Sequence, residues 1–295
     1  MKQSLSYYIT IWVIKLMGLK KIFSTTPIPY HKLRKHDCYQ PKSRFFKQKG
    51  IQQFTILNTG ITEINIKKDN TKLLLFIHGG AFVSGPVQHH WDVIKKIAQT
   101  TNYNTWLCNY PKAPENDITK ITDNIHAVYK AAVNNYGADN IALIGDSAGG
   151  TLATLLVQQL VQQQLKLPQK IILISPVMDV SLTNPDIVEA AKKDVMLSMK
   201  GVISAKKMCA QHISLKSPLI SPLYGSFTNF PKTLVVIAEN DMMYPDAKLA
   251  IGKLQESHTD LEIIEGKNMP HIWPYLPVMK EAKITLKKVI DFLNE

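Results

Sequence analysis

The chain has 295 residues, 45% hydrophobic and 20% charged, an ordinary globular balance with enough length to bury a sizeable core; α/β folds of this size are commonly one domain. The formal charge of +12 is concentrated: residues 1–50 hold eleven Lys or Arg against one acid, Asp37, so ten of the twelve lie there and the rest of the chain is close to neutral. No basic motif interleaved with base-stacking aromatics accompanies that charge, which excludes a nucleic-acid partner, and three scattered cysteines (Cys38, Cys108, Cys209) with no C-x-x-C or zinc spacing fit a reducing, cytoplasmic setting.

Residues 4–23, SLSYYITIWVIKLMGLKKIF, are too short and too interrupted by Lys15 for a membrane span or a secretory signal. They predict a helix with Leu5, Tyr8, Ile9, Trp12, Leu16 and Leu19 along one side. That side either packs on the body of the protein over an active site, or lies peripherally on an anionic membrane with Lys20 and Lys21 assisting. Residues 24–50, with three prolines, read as an irregular connector.

Gln53–Asn58 and Ile61–Ile66 alternate around Thr59-Gly60, the pattern of an antiparallel hairpin. Buried strands follow at Lys72–Ile77, Asn104–Asn109, Ile141–Ile144, Ile171–Ile174, Leu234–Ala238 and Leu261–Glu265. Helical periodicity marks Trp91–Thr100, Asp117–Tyr136, Thr151–Val161, Asp186–Ala191, Lys200–Gln211, Asp246–Ser257 and Val278–Leu293. Two hairpin strands followed by strand–helix alternation imply an α/β fold with a mostly parallel sheet and helices on both faces. Almost sixty residues separate the strands at Ile171 and Leu234, far more than a crossover needs. The expected organisation is therefore an N-terminal cap helix and connector (1–50), a catalytic domain (51–295) and an inserted helical cap (about 178–230).

Gly145-Asp146-Ser147-Ala148-Gly149 is a G-x-S-x-G pentapeptide set between a strand and a helix, the context of a nucleophile elbow. Glycines give the strained turn room, and the helix N-terminus favours negative charge beside Ser147. A serine hydroxyl needs a base and a group to orient it, both expected at carboxyl ends of later strands. Asp241 follows one such strand and His271 the next; Glu239 and Asp246 are weaker rivals for the acid. Asp146 reads as a structural hydrogen-bonding residue. His78-Gly79-Gly80-Ala81 follows the Lys72 strand, so Gly79, Gly80 and Ala148 N–H groups are expected to form an oxyanion hole. No phosphate-binding loop and no metal-ligand spacing occurs, so neither cofactor nor metal is expected.

With HGGAF at 78–82 and GDSAGG at 145–150, the chain resembles the hormone-sensitive-lipase family of α/β-hydrolases. YPKAPEN at 110–116, SPLISPLYG at 217–225, AENDMMYPDA at 238–247 and MPHIW at 269–273 extend the likeness over about residues 50–295, with Ile272 where a glycine commonly follows the histidine. The resemblance implies an α/β-hydrolase fold and a carboxylesterase or lipase that cleaves small esters of short to medium acyl chains through an acyl-Ser147 intermediate, without a cofactor. It places the catalytic acid at Asp241, and many relatives dimerise, which leaves a homodimer open. Amidase, deacetylase or peptidase chemistry would use the same residues. A binding protein on this scaffold, as the plant gibberellin receptors resemble, would lack the histidine that stands here as His271.

Overall fold

The apolar runs pair into a single eight-stranded sheet. The computed structural model describes residues 2–67 and 70–295. In chain order it forms α1 (Leu5–Met17), α2 (Leu19–Phe23), α3 (Tyr30–Arg34), β1 (Ile51–Ile56), β2 (Thr59–Ile64), β3 (Lys72–Ile77), α4 (Gln88–Thr100), β4 (Tyr103–Asn109), α5 (Ile118–Tyr136), β5 (Ile141–Asp146), α6 (Ala148–Gln162), β6 (Lys170–Ile174), α7 (Ile187–Lys193), α8 (Met199–Ala210), β7 (Lys232–Asn240), α9 (Tyr244–Glu256), β8 (Leu261–Pro270) and α10 (Lys280–Asn294).

Strand order is β1-β2-β4-β3-β5-β6-β7-β8. The pairs β1–β2 and β2–β4 are antiparallel and every later pair is parallel, as the sequence pattern implies. Side chains alternate across the sheet: Leu73, Leu75 and Ile77 join an apolar cluster with α5, α6 and α8, while Leu74 and Phe76 join another with α4 and α10. Burial on both faces is why the central strands read as unbroken apolar runs. Because β3 stands between β4 and β5, the chain leaves neighbouring strand ends in opposite directions. The crevice this opens at the carboxyl ends of β3 and β5 is where a ligand site forms in such sheets.

Three expectations change. The hairpin turn falls two residues early: Ile56 pairs with Thr59, leaving Leu57-Asn58 as the loop, with Leu57 at φ +53. A tertiary bond fixes it there, since Asn58 N–H donates to Asn124 Oδ1 on α5 at 2.8 Å. Next, the N-terminal helix is broken at Gly18, φ +65, into α1 and α2, and the connector beyond contains α3.

The third change concerns the face of α1 that packs. Tyr7 and Ile14 turn inward, Tyr7 OH donating to Asn268 O at 2.9 Å, while Ser4 at the N-cap donates to Glu281 of α10. Of the side expected either to pack or to lie on a membrane, Leu5, Tyr8, Ile9, Trp12 and Leu16 face solvent, Trp12 63% and Leu16 66% exposed, while Leu19 in α2 packs against the core. The helix is apolar all round, so periodicity could not say which side the body covers.

The stretch between β6 and β7 meets the N-terminal segment. A β-carbon on Gly201 of α8 would lie 2.2 Å from Phe23 O of α2, and Ser204 Oγ accepts the Ile28 N–H at 2.9 Å. Elsewhere, Leu57 holds a left-handed conformation that glycine adopts freely, with its side chain 63% exposed. Leu57→Gly should therefore stabilise the fold by about 0.5–1 kcal/mol, read as a rise in the urea midpoint at unchanged slope.

Candidate active site

The site begins with a strained turn. Ser147 joins β5 to α6 at φ +51, ψ −120, a conformation a side-chain-bearing residue keeps only when its surroundings impose it. Close backbone approach imposes it here. A β-carbon on Gly149 would lie 2.0 Å from Ile77 O at the end of β3, and one on Gly145 would lie 2.4 Å from Gly149 O. Ser147 N–H donates to Ile174 O on β6 at 2.9 Å, which fixes the turn from the other side. The first N–H groups of α6, Ala148 among them, have no partner within the helix and face the hydroxyl's surroundings.

Asp241 and His271 come together at the ends of β7 and β8. His271 Nδ1 and Asp241 Oδ2 are 2.7 Å apart, and both side chains are buried. A carboxylate only accepts, so Nδ1 carries the proton and Nε2 presents its lone pair. Asp241 Oδ1 accepts the Met243 N–H at 2.9 Å, which orients the carboxylate. Burial would lower the His271 pKa, but the charge and hydrogen bond of Asp241, then the charges of Asp194 and Asp146, outweigh it and hold the pKa above its ordinary value. Neither rival acid touches the imidazole: Glu239 accepts from Asn268 N, and Asp246, on α9, accepts from Asn184.

Ser147 makes no direct hydrogen bond to the imidazole among the described residues; in sites without substrate this contact is often long. The two are registered through Ser175, which sequence reasoning missed. It follows the Ile174 carbonyl that holds Ser147, donates its N–H to Val236 O at 2.7 Å, and accepts the Ile272 N–H on Oγ at 3.1 Å. Ile272 sits at φ +47, which explains why a glycine would be at ease after this histidine.

The loop after β3 requires a correction. Gly79 N–H is not free for an oxyanion, because it donates to the buried Asp146 Oδ1 at 3.0 Å. Next to it, Gly80, Ala81 and Phe82 all have positive φ, and the N–H groups of Gly80 and Ala81 have no acceptor among the described residues. Successive N–H groups turned the same way make an anion-binding concavity. His78 braces the loop from below, stacked on Tyr110 at 4.5 Å with Tyr110 OH donating to His78 O at 2.9 Å. From above, the basic connector holds it. Arg34 Nε donates to Val83 O at 2.7 Å and its Nη2 to Ala113 O at 2.8 Å, while Asp37 Oδ1 accepts the Gly85 N–H at 2.6 Å. These ties were invisible in a segment read as irregular.

His89, His90 and Asp146 gather atoms within 4.8 Å, a spacing a metal could span. The tautomer argues against it. His90 Nδ1 accepts the Val87 N–H at 3.0 Å, so its Nε2 carries the proton and points it toward Asp146 and His89 instead of offering a lone pair. Burial and the neighbouring His90 and His271 hold His89 neutral, its pKa well below the usual value. A groove of about 420 Å³ lined by Pro41, Phe46 and Ile51 lies beside β1, away from Ser147.

The Gly149 contact gives a direct test of the elbow. Gly149→Ala forces the α6 and β3 backbones apart and should destabilise the protein by about 1–3 kcal/mol in urea unfolding. The fraction that stays folded should lose turnover as well, since the shift moves Ser147 against the loop at Gly80.

Comparison with known proteins places the fold. Residues 74–274 match a family described as alpha/beta hydrolase fold. An esterase of Acinetobacter venetianus is 32% identical over 236 residues, covering 78% of this chain and 77% of that protein. A Staphylococcus aureus structure, provisionally assigned as an esterase, superposes with a TM-score of 0.83 at 29% identity over 90% of both chains. An esterase of the bacterial hormone-sensitive lipase family shares the fold, with a TM-score of 0.85 at 22% identity over 100% of this chain and 99% of its own.

Proposed function

The chain belongs to the alpha/beta hydrolase fold family, among its esterases, and from that premise we propose that Ser147, Asp241 and His271 carry its ester hydrolysis, with Gly80, Ala81 and Ala148 as the oxyanion donors. Ester cleavage by a serine hydrolase is the activity; the residue roles are our reading. The observation that carries it is the 2.7 Å His271–Asp241 pair facing the loop system of a strained Ser147.

In this mechanism Ser147 Oγ attacks the ester carbonyl as its proton passes to His271 Nε2. Asp241 keeps the imidazole in the required tautomer and stabilises the imidazolium. The tetrahedral oxyanion lies against the three N–H groups, each contributing about 3 kcal/mol in the transition state. Collapse expels the alcohol, protonated by His271, and leaves acyl-Ser147. Water, deprotonated by the same imidazole, then releases the carboxylic acid and restores the hydroxyl. Residues 1–50 and about 178–230 would close over this site as a cap and set the acyl limit to short or medium chains. Free Cys38, Cys108 and Cys209 fit a cytoplasmic home.

The test is hydrolysis of a p-nitrophenyl ester series from acetate to long chains, beside the matching anilides. Ester turnover should show a chain-length optimum, and Ser147→Ala should lower it by about 10⁴-fold or more. Turnover of anilides alone would move the assignment to C–N cleavage. Because the base must be neutral and His271 is held above its ordinary pKa, kcat/KM should fall as pH drops through a midpoint above about 6.5. An acid limb well below that value would remove His271 from the role.

The exposed face of α1 supports a peripheral membrane contact as well. Leu5, Tyr8, Ile9, Trp12, Val13, Leu16 and Met17 form one uncovered apolar surface on a helix that carries no acid, flanked by exposed Lys15 and Lys21. No helix among the described residues is long and apolar enough to cross a membrane. Such a face, with basic neighbours, suits the headgroup boundary of an anionic bilayer. The protein should sediment with phosphatidylglycerol vesicles and be released by Trp12→Glu with Leu16→Glu, while p-nitrophenyl acetate hydrolysis persists. No vesicle binding would reject the membrane, and a dimer dissociated by the same substitutions would assign the face to a second copy.

A further inference from the structure

One buried carboxylate beside the Asp241–His271 pair has no part in the mechanism above. Asp194 ends α7, in the stretch between β6 and β7, and is 1% exposed. Its Oδ1 accepts two backbone N–H groups, Met196 at 2.7 Å and Leu197 at 2.8 Å, which turn the chain toward α8. That task alone would be met by an asparagine. The second oxygen does something different: Oδ2 reaches across to accept the N–H of Met242 at 3.0 Å, 48 residues on and directly after Asp241.

Only a carboxylate can accept on both oxygens; an asparagine would set its own N–H groups against the Met242 N–H. The arrangement is costly. Burial and then the charge of Asp241 push the Asp194 carboxyl up to about 6, eased by His271 and by the N–H donors of Met242 and Leu197. A second anion buried beside the first is hard to explain as packing, since a neutral or apolar residue would avoid the repulsion. The groups facing it are Asp241 after β7, His271 after β8 and, on its main chain, Lys20 of α2. Lys20 Nζ donates to Asp194 O and, at 3.0 Å, to Ala191 O, so the N-terminal segment holds the same turn.

We infer that Asp194 is a positioning residue for the catalytic acid: from the inserted segment it fixes the Met242 N–H, and with it the peptide that aims Asp241 at His271. The inference rests on the assignment of Asp241 and His271 above. It also makes the segment between β6 and β7 part of the acid loop's support as well as a cover. When that segment and α2 shift, the orientation of the imidazole shifts with them.

Asp194→Asn tests it. The variant keeps the size and the bonds to Met196 and Leu197 but loses the bond to Met242 and the charge near His271. With folding checked by circular dichroism and thermal melting, kcat for p-nitrophenyl butyrate should fall about tenfold or more while KM stays within about twofold. The His271 imidazole midpoint, followed by NMR on histidine-labelled protein, should drop by about one unit, as removal of one nearby charge predicts. A purely structural role would lower stability and leave that midpoint in place. A folded Asn variant with unchanged kcat and midpoint overturns the inference. Should the variant fail to fold, the wild-type protein decides: the Met242 amide should be strongly protected from hydrogen exchange, and a freely exchanging Met242 amide overturns the idea. The NMR readouts need no turnover, so absence of ester hydrolysis by wild-type protein would sink the esterase assignment alone.

Discussion

The close approach of α6 to the end of β3 is the constraint from which the rest of the site follows. With Ile77 O so near Gly149 that no β-carbon fits between them, the helix N-terminus is pressed onto the strand that delivers the loop proposed to hold the oxyanion. Ser147 then has to turn at φ +51 to connect β5 to that helix, a strain of about 1–3 kcal/mol that only a packed surrounding can hold. The sheet supplies the surrounding, since β3 and β5 are neighbours and β6 takes the Ser147 N–H. The proposed nucleophile and oxyanion donors are thus set by the same backbone contact. Neither can relax without displacing the other.

Buried carboxylates carry the second layer of order. Asp146, Asp241 and Asp194 are each about 1% exposed, and each directs its oxygens at backbone N–H groups of a loop that the chemistry uses: Gly79, Met243 and Met242. An ionised carboxylate in such a place is tolerated because those donors replace its water, and in return each loop acquires a fixed peptide orientation. The basic N-terminal segment takes part from outside. Arg34 donates to Val83 O in the loop after β3 and to Ala113 O after β4 besides pairing with Glu115, and Lys20 donates to a carbonyl of the turn at Asp194. Some of the positive charge concentrated in residues 1–50 is therefore structural, while Lys15 and Lys21 remain at the surface beside the apolar face of α1.

The sheet and its helices were legible in the sequence because strands buried on both faces and one-sided helices leave periodic signatures; Lys72–Ile77 coincides with β3, and most other boundaries fall within about three residues. The placement of Ser147, Asp241 and His271, the proposed catalytic residues, was legible for the same reason, as each follows a strand that could be located. What escaped were facts settled between distant segments. The hairpin turn sits at Leu57-Asn58 because Asn124 reaches it, and no local preference at Leu57 would have said so. Which of the two expected roles the Leu5–Leu16 side of α1 takes could not be read, because both faces of the helix carry apolar residues. Ser175, Arg34 and Asp37 carry no motif, and their importance exists only once loops 80–86, 147 and 272 are adjacent.

The oxyanion loop shows how two motifs that look independent become one device. From sequence, HGGA and GDSAGG are expected to meet only at a substrate oxygen, held by the N–H groups of Gly79, Gly80 and Ala148. The hydrogen bond from Gly79 to Asp146 joins them: the acid preceding the nucleophile occupies the first N–H of the other motif, and a β-carbon on Gly79 would lie 2.3 Å from that carboxylate. Glycine is needed at 79 for the closeness of Asp146 and at 80 for a φ of +124, two different reasons that a string of glycines cannot distinguish. With its first amide committed, the loop can only turn the next two, Gly80 and Ala81, toward an incoming oxygen. Asp146, passed over as a catalytic acid, thereby decides which N–H groups remain for the proposed oxyanion site.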